Sequence, residues 1–250
     1  MKDVTTTLLE RTSIRRYTRE PISDKDMEFI YNAIRNTPTS YNGQQFSVID
    51  VTDQSLKEEL YELTGQKQIK TCNHFLVFCS DYNKIRLLAE AKNISFPDIT
   101  DTMDGVFIGV IDASLAMMSA VVAAQSLGLG SNCIGYLRTA DPAKTAELLK
   151  LPDGVFVVCG LAIGHPNEQP DLKPKQSEDT VIFKNHYGTD NVRITDDLKK
   201  YDELVKHYNN TRAGHTTDND WVSHIVDYYR EACGNNLLNY LSEQGYKITK

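Results

Sequence analysis

The chain has 250 residues, with 27 Lys+Arg against 34 Asp+Glu and a formal net charge of −7. Hydrophobic residues make up 40% and charged residues 24%, a globular balance that excludes wholesale disorder and allows a core without staples. The acidic balance disfavours a nucleic-acid partner, whose phosphates would want a basic excess. Five cysteines (Cys72, Cys79, Cys133, Cys159 and Cys233), odd in number and never spaced C-x-x-C, fit reduced cytoplasmic thiols better than a disulfide framework or a zinc site. Charges from Lys2 to Arg19 interrupt the start of the chain, so no signal peptide is expected.

A short helical pattern opens the chain and gives way to a basic stretch, RTSIRRYTREP. Ser23 with Asp26 makes an approximate capping box, and Met27, Ile30, Tyr31 and Ile34 form the apolar stripe of a helix. A polar loop runs from Thr37 to Gly43, and a short strand covers residues 46–51. Asp53 caps a helix bearing Leu56, Leu60 and Leu63 that stops at Gly65. Residues 75–79 (FLVFC) have the length of a buried strand. Residues 105–127 approach bilayer length, but Asp112, Ser114, Ser119 and Gln125 interrupt them. An ionised Asp at mid-span costs roughly 2.5–3.5 kcal/mol on insertion, so a buried core helix is expected and no membrane partner.

Gly128 and Gly130 end that helix, SNCIGYL begins a strand-like piece, and Asp141-Pro142 starts another helix. The continuous apolar run at 155–163 (VFVVCGLAI) suits a strand covered on both faces. One main sheet with helices on both sides follows, α/β or α+β. Beyond Gly164-His165-Pro166 comes a polar, proline-bearing loop. The polar helices from about residue 196 carry little core of their own and need another surface, in this chain or in a partner.

If residues 11–15 are extended, Arg11, Ser13 and Arg15 point the same way, and two guanidiniums and a hydroxyl suit a phosphate. The bland alternative is a solvated basic turn. Other chemistry-bearing patterns are missing. There is no G-x-x-x-x-G-K-[ST] or G-x-S-x-G, and Gly128-Leu129-Gly130 lacks a third glycine and precedes a strand. The six histidines are scattered, so no metal site is expected, and Cys79 and Cys159 read as inert core residues. An anion site without an evident acid, base or nucleophile points to a bound cofactor as the source of the chemistry.

The segments RTSIRRYTREPIS (11–23), PTSYNGQ (38–44), FLVFCSD (75–81), SLGLGSNCIGYLR (126–138), LLKLPDGVFVVCGLAIGHP (148–166) and PDLKPK (170–175) resemble the FMN-dependent nitroreductase family. Asn185-His186-Tyr187 and the tail YDELVKHYNNTR…W resemble its A-type branch, the oxygen-insensitive NADPH nitroreductases and related flavin reductases. The resemblance spans nearly the whole chain in matching order. It implies an α+β fold, a three-layer α/β/α sandwich around a mostly antiparallel sheet, in an intertwined homodimer with FMN at each end of the interface. Residues 1–190 would form the FMN-binding core and 191–250 a helical extension embracing the partner subunit.

By the same resemblance, Arg11, Thr12, Ser13 and Arg15 hold the FMN phosphate and ribityl chain. Lys173 and Lys175 add a second basic element at the phosphate or the pyrimidine side, with Lys175 where the family usually has Arg. Thr39, Ser40, Asn42 and Gln44 match the loop that reaches the isoalloxazine from the partner subunit. Gln66 matches a flavin-contacting glutamine, with Gln68 as its fallback. Cys133, Ile134, Gly135 and Tyr136 match the segment facing flavin N5. Tyr136 stands where many relatives have glycine, so either the turn differs locally or the ring shapes the substrate pocket. Arg212 matches an arginine that grips the NADPH phosphate, while Thr217 replaces a second one and His215 is a partial substitute. The implied activity is ping-pong, two-electron reduction of nitroaromatics, quinones or related small-molecule acceptors by NADPH or NADH. Flavin N5, and no side chain, carries the hydride. A reductase supplying free reduced flavin is the alternative, and a non-catalytic flavin-binding protein a third reading.

Overall fold

A computed structural model describes residues 2–249. Four strands, β1 (Phe46–Val51), β2 (His74–Asp81), β3 (Gly130–Ile134) and β4 (Val155–Gly164), form one sheet in the order β1-β2-β4-β3, each pair antiparallel. The inner strands β2 and β4 are buried along almost their whole length, which is why they read as unbroken apolar runs. Along β2, Leu76 and Phe78 face one layer while Phe75, Val77 and Cys79 face the other. β4 changes parity: Phe156, Val158, Cys159, Leu161 and Ile163 belong to the first layer, Val155, Val157 and Ala162 to the second. A bulge causes this. Phe78 pairs with Cys159 and Cys79 with Val157, so Val158 is an extra residue in β4.

Helices cover both faces. α1 (Val4–Leu9) opens the chain, and α2 (Asp24–Arg35) starts at Ser23, whose hydroxyl oxygen accepts the Asp26 N–H. α3 (Gln54–Thr64) runs from the Asp53 cap to Gly65, which is left-handed at φ +65. α4 (Gln68–Thr71) precedes β2 and α5 (Asn83–Ala91) follows it. The long helix is α6 (Met103–Ser126), and α7 (Pro142–Leu149) begins with the expected Asp141 cap and Pro at its first turn. α2 and α6 supply the first layer and α3 and α4 the second, while α7 reaches both, through Ala146 and Leu149. The α2 stripe is narrower than expected. Met27, Ile30 and Ile34 are buried, whereas Tyr31 stays on the surface and its hydroxyl donates to the Asp50 carboxylate.

α6 is the expected core helix on one face only. Its inner face is built of small residues, among them Gly105, Gly109, Ala113, Ala116 and Ala120. Gly109 is required by close approach, since a Cβ there would lie 2.0 Å from Ser80 Oγ. Met103, Phe107, Ile111, Leu115 and Met118 on its other face are exposed.

The chain divides into two compact units, one running to Gln169 and resuming at Asn236, the other Pro170–Asn235. This is not the expected division at 190/191. The last helix, α11 (Leu237–Glu243), and the residues after it return to the core, where Tyr240, Leu241 and Tyr246 are buried. Tyr246 packs edge-on against Phe156 at 4.9 Å, and its hydroxyl lies 3.1 Å from Ser80 Oγ. The second unit holds α8 (Glu178–Val181), α9 (Asn191–Thr211) and α10 (Trp221–Ala232), joined by a Tyr201–Trp221 contact at 5.3 Å and by the Val222 N–H on Asp202. No residue of this unit is buried.

Candidate functional site

The basic stretch is extended, as its proposed role requires. Ser13 bridges Ser131 of β3 in parallel, the Ile14 N–H donates to Ser131 O at 2.9 Å, and Tyr17 bridges Pro166. The segment thus lies along the outer edge of β3, fixed by the buried side chains of Ile14 and Tyr17. Gly130 allows the close approach: a Cβ there would come within 2.7 Å of the Ile14 side chain. Glu168 clamps the backbone further, its Oε1 accepting the N–H of Arg15 at 2.5 Å and of Arg16 at 3.2 Å. Its other oxygen lies 3.8 Å from the Arg16 guanidinium. Arg16 is therefore paired, while Arg11 and Arg15 have no carboxylate partner among the described residues. The alternation that sets Arg11, Ser13 and Arg15 apart from Arg16 corresponds to a difference in charge pairing.

Beside this strand, β3 ends in a 3-10 turn at Gly135–Arg138. Cys133 points out between buried Asn132 and Ile134. Desolvation by its neighbours raises its thiol pKa, and the positive charge of Arg11 pulls the other way, which places Arg11 next to this segment. Neither Gly135 nor Tyr136 has a positive φ, so tyrosine is unstrained here and the local turn accounts for the departure from glycine. The Tyr136 ring is exposed. Gln66 is half-buried and its Oε1 accepts from Gln68 Nε2 at 2.8 Å; Gln68 itself is buried and backs it.

The loop 39–44 carries backbone strain. Tyr41, Asn42 and Gln44 are all left-handed at φ 54, a conformation costing about 1–2 kcal/mol for an ordinary side chain and less for Asn. The Gln44 N–H donates to Thr39 Oγ1 at 3.2 Å, and the Ser40 N–H to Asp112 Oδ1 of α6 at 3.1 Å. This loop lies far from the basic strand. It enters β1 at Phe46, which pairs with Ser80 and through it with Phe156, whereas Ser131 pairs with Ile163 at the other end of β4. From Phe156 to Ile163 at about 3.3 Å per residue is roughly 23 Å, and the two segments also flank opposite edges of the sheet. A cleft of about 590 Å³ opens beside the loop, lined by Tyr31, Arg35, Gln44, Phe46, Asp50 and Lys84 among others. The structure thus brings residues 11–15 and 131–136 together and holds 39–44 apart from them.

In the second unit, the loop bearing Lys173 and Lys175 packs on the end of α9. Tyr208 Oη donates to Asp171 O at 3.2 Å, Tyr201 Oη to Pro174 O at 3.4 Å, and the Ala213 N–H to the Asp171 carboxylate at 2.9 Å. Arg212 follows α9 directly, its Nε donating to His215 O at 2.7 Å and its guanidinium 5.9 Å from the Tyr208 ring. His215 acts here through its carbonyl, and Thr217 is tied by its N–H to Asn209 O. Sequence reasoning missed Glu168 and Asp112, which hold the two loops from 153 and 72 residues away.

An antiparallel sheet between two helical layers, with the guanidiniums of Arg11 and Arg15 unpaired by carboxylates on a strand along its edge, defines a sandwich with a basic rim. The chain belongs to the nitroreductase family: the family model matches residues 8–165, and that of the nitroreductase C-terminal domain matches 173–249. It is similar to the FMN reductase (NAD(P)H) of Bacillus subtilis (strain 168), 35% identical over 100% of both chains. It is similar also to the oxygen-insensitive NADPH nitroreductase of Salmonella typhimurium, 35% identical over 94% of each. The solved structure of NfrA2 from B. megaterium superposes with a TM-score of 0.93 at 33% identity, covering 100% of both chains.

Proposed function

We propose that this chain binds FMN as half of a homodimer and uses NAD(P)H to reduce small acceptors such as nitroaromatics and quinones. FMN, when bound, would supply two-electron chemistry between a nicotinamide and an acceptor, and the chain's own residues bind and orient it. Arg11 and Arg15, unpaired by carboxylates and held on a rigid strand with Ser13 between them, fit a phosphate. Thr12 lies on the same strand, and Lys173 and Lys175 of the second unit supply basic charge suited to a phosphate or to the pyrimidine side of a flavin. Gln66, backed by Gln68, and the turn Cys133-Ile134-Gly135-Tyr136 contact the ring, with Tyr136 walling the acceptor site. Arg212 takes the 2′-phosphate of NADPH through the guanidinium nitrogens its bond to His215 leaves available. A single arginine gives a modest preference for NADPH over NADH.

What carries the dimer is the placement of the 39–44 loop and the basic strand at opposite edges of the sheet, beside β4 positions roughly 23 Å apart along that strand. One chain does not bring Thr39, Ser40, Asn42 and Gln44 to the flavin held by its own Arg11 and Arg15; a second copy does. The exposed stripe Phe107, Ile111, Leu115 and Met118 on α6 supplies an apolar surface for that copy. The 191–250 extension embraces the partner subunit, and its stretch 191–235 has no buried residue of its own. Free thiols at exposed Cys133 and Cys233 suit the cytoplasm. Free flavin as acceptor is the second reading, favoured by the relative named FMN reductase. Steady-state rates with a quinone, a nitroaromatic and free FMN at equal concentration decide between them: a dominant rate with free FMN selects the flavin reductase.

A further inference from the structure

Asp112 stands out on the inner face of α6. It is fully buried among glycine and alanine, with one oxygen on the Ser40 N–H and Oδ2 without a hydrogen-bond partner among the described residues. A carboxylate buried with a single backbone donor is a poor device for stability, because desolvation outweighs what one bond returns and an apolar residue would fill the space without that cost. What it holds is the residue next to the strained run. Tyr41, Asn42 and Gln44 are left-handed, and the bonds inside the loop, such as Gln44 N–H to Thr39 Oγ1 and Gln44 Nε2 to Asn42 O, do not tie it to the rest of the protein. Ser40 N–H to Asp112 does, and α6 is a firm base there, packed onto Ser80 through Gly109.

We propose that Asp112 is a positioning residue for flavin binding. Through the Ser40 amide it fixes the 39–44 loop in the conformation that presents Ser40, Asn42 and Gln44 to the isoalloxazine. This rests on the reading above that the loop contacts the flavin. A loop already in its binding geometry loses less freedom when the ligand arrives, so its anchor sets affinity without touching the ligand. Asp112 gives up fold stability for a pre-formed loop.

The test is FMN affinity of the full-length protein, read by fluorescence titration, beside thermal melting and amide hydrogen exchange of the apoprotein. Asp112→Ala should raise the FMN Kd about tenfold or more. It should also speed exchange at the Ser40 amide and leave the melting temperature unchanged or higher. Asp112→Asn keeps an oxygen for Ser40 and should stay within about threefold of the unmodified chain. If both variants lose melting temperature and FMN affinity together, the role is structural and the proposal falls. Gln44→Ala separates the two layers of the argument. Weakened binding in Gln44→Ala with none in Asp112→Ala overturns the positioning role and leaves the loop assignment standing. No effect in either variant overturns the loop assignment, and the positioning role with it.

Discussion

Replacing Arg15 by alanine removes one guanidinium from the proposed phosphate site and little else. The Arg15 side chain is exposed and has no carboxylate partner among the described residues, while its backbone N–H stays on Glu168. Fold stability should therefore shift by no more than about 0.5 kcal/mol. A charge-assisted hydrogen bond to a phosphate is worth roughly 1.5–3 kcal/mol, and an exposed one belongs at the low end. FMN affinity should then fall by about tenfold to thirtyfold, at 1.4 kcal/mol per decade. Arg16→Ala is the internal control. It removes a surface ion pair with Glu168 at 3.8 Å, a contact worth about 0–1 kcal/mol, and should leave FMN affinity unchanged. Titrating apoprotein into FMN and following the flavin fluorescence measures both. Unchanged affinity in Arg15→Ala, or equal losses in both variants, would refute the assignment of alternate strand faces to phosphate and Glu168.

Sedimentation of the flavin-loaded protein should give about twice the chain mass of 28.2 kDa, and Leu115→Glu on the exposed α6 stripe should yield monomers with weakened FMN binding; an active yellow monomer would contradict the shared site. Arg212→Ala should raise KM for NADPH about tenfold to a hundredfold with kcat nearly intact and leave NADH kinetics alone, and equal weakening of both donors would mean that Arg212 serves only the turn at His215. Burial pushes the thiols of Cys72 and Cys159 up to about 11 and of Cys79 up to about 12. At mildly alkaline pH a thiol reagent should thus modify only Cys133 and Cys233 in the native apoprotein, with bound FMN shielding Cys133; rapid labelling of Cys79 would refute the packing. Because these raised values favour protonation in the fold, their stabilisation is complete below the ordinary thiol value of 9.0 and is lost as pH rises toward about 12. Denaturation midpoints should fall over that interval.

Local signals in the sequence were the readable ones. Ser23, Asp53 and Asp141-Pro142 cap helices through their own next turn, and Gly65 ends one by a conformation only its own backbone needs. Burial on both faces hides strand parity, so the β4 bulge at Val158 leaves no trace in the run VFVVCGLAI. The return of Tyr246 to the core is invisible for a related reason: a tyrosine in a polar tail gives no periodicity, and its contacts with Phe156 and Ser80 are distant in sequence. At the site, the alternation of Arg11, Ser13 and Arg15 was legible from spacing, while the loop and Lys175 assignments came from family likeness. Glu168 and Asp112 were not legible, because a clamp or an anchor 153 or 72 residues away has no spacing to recognise. Of the two readings of Tyr136, the local turn was not legible, because a 3-10 turn without positive φ is a backbone choice that the residue types alone did not dictate.

The proposed function requires that this chain carry FMN and pass electrons through it from a pyridine nucleotide. Anaerobic addition of NADPH to the FMN-loaded protein tests this directly. The flavin absorbance should bleach with one NADPH consumed per FMN and return in full when a quinone is added. A protein that takes up no FMN, or one whose bound flavin keeps its absorbance in the presence of both NADPH and NADH, would contradict it.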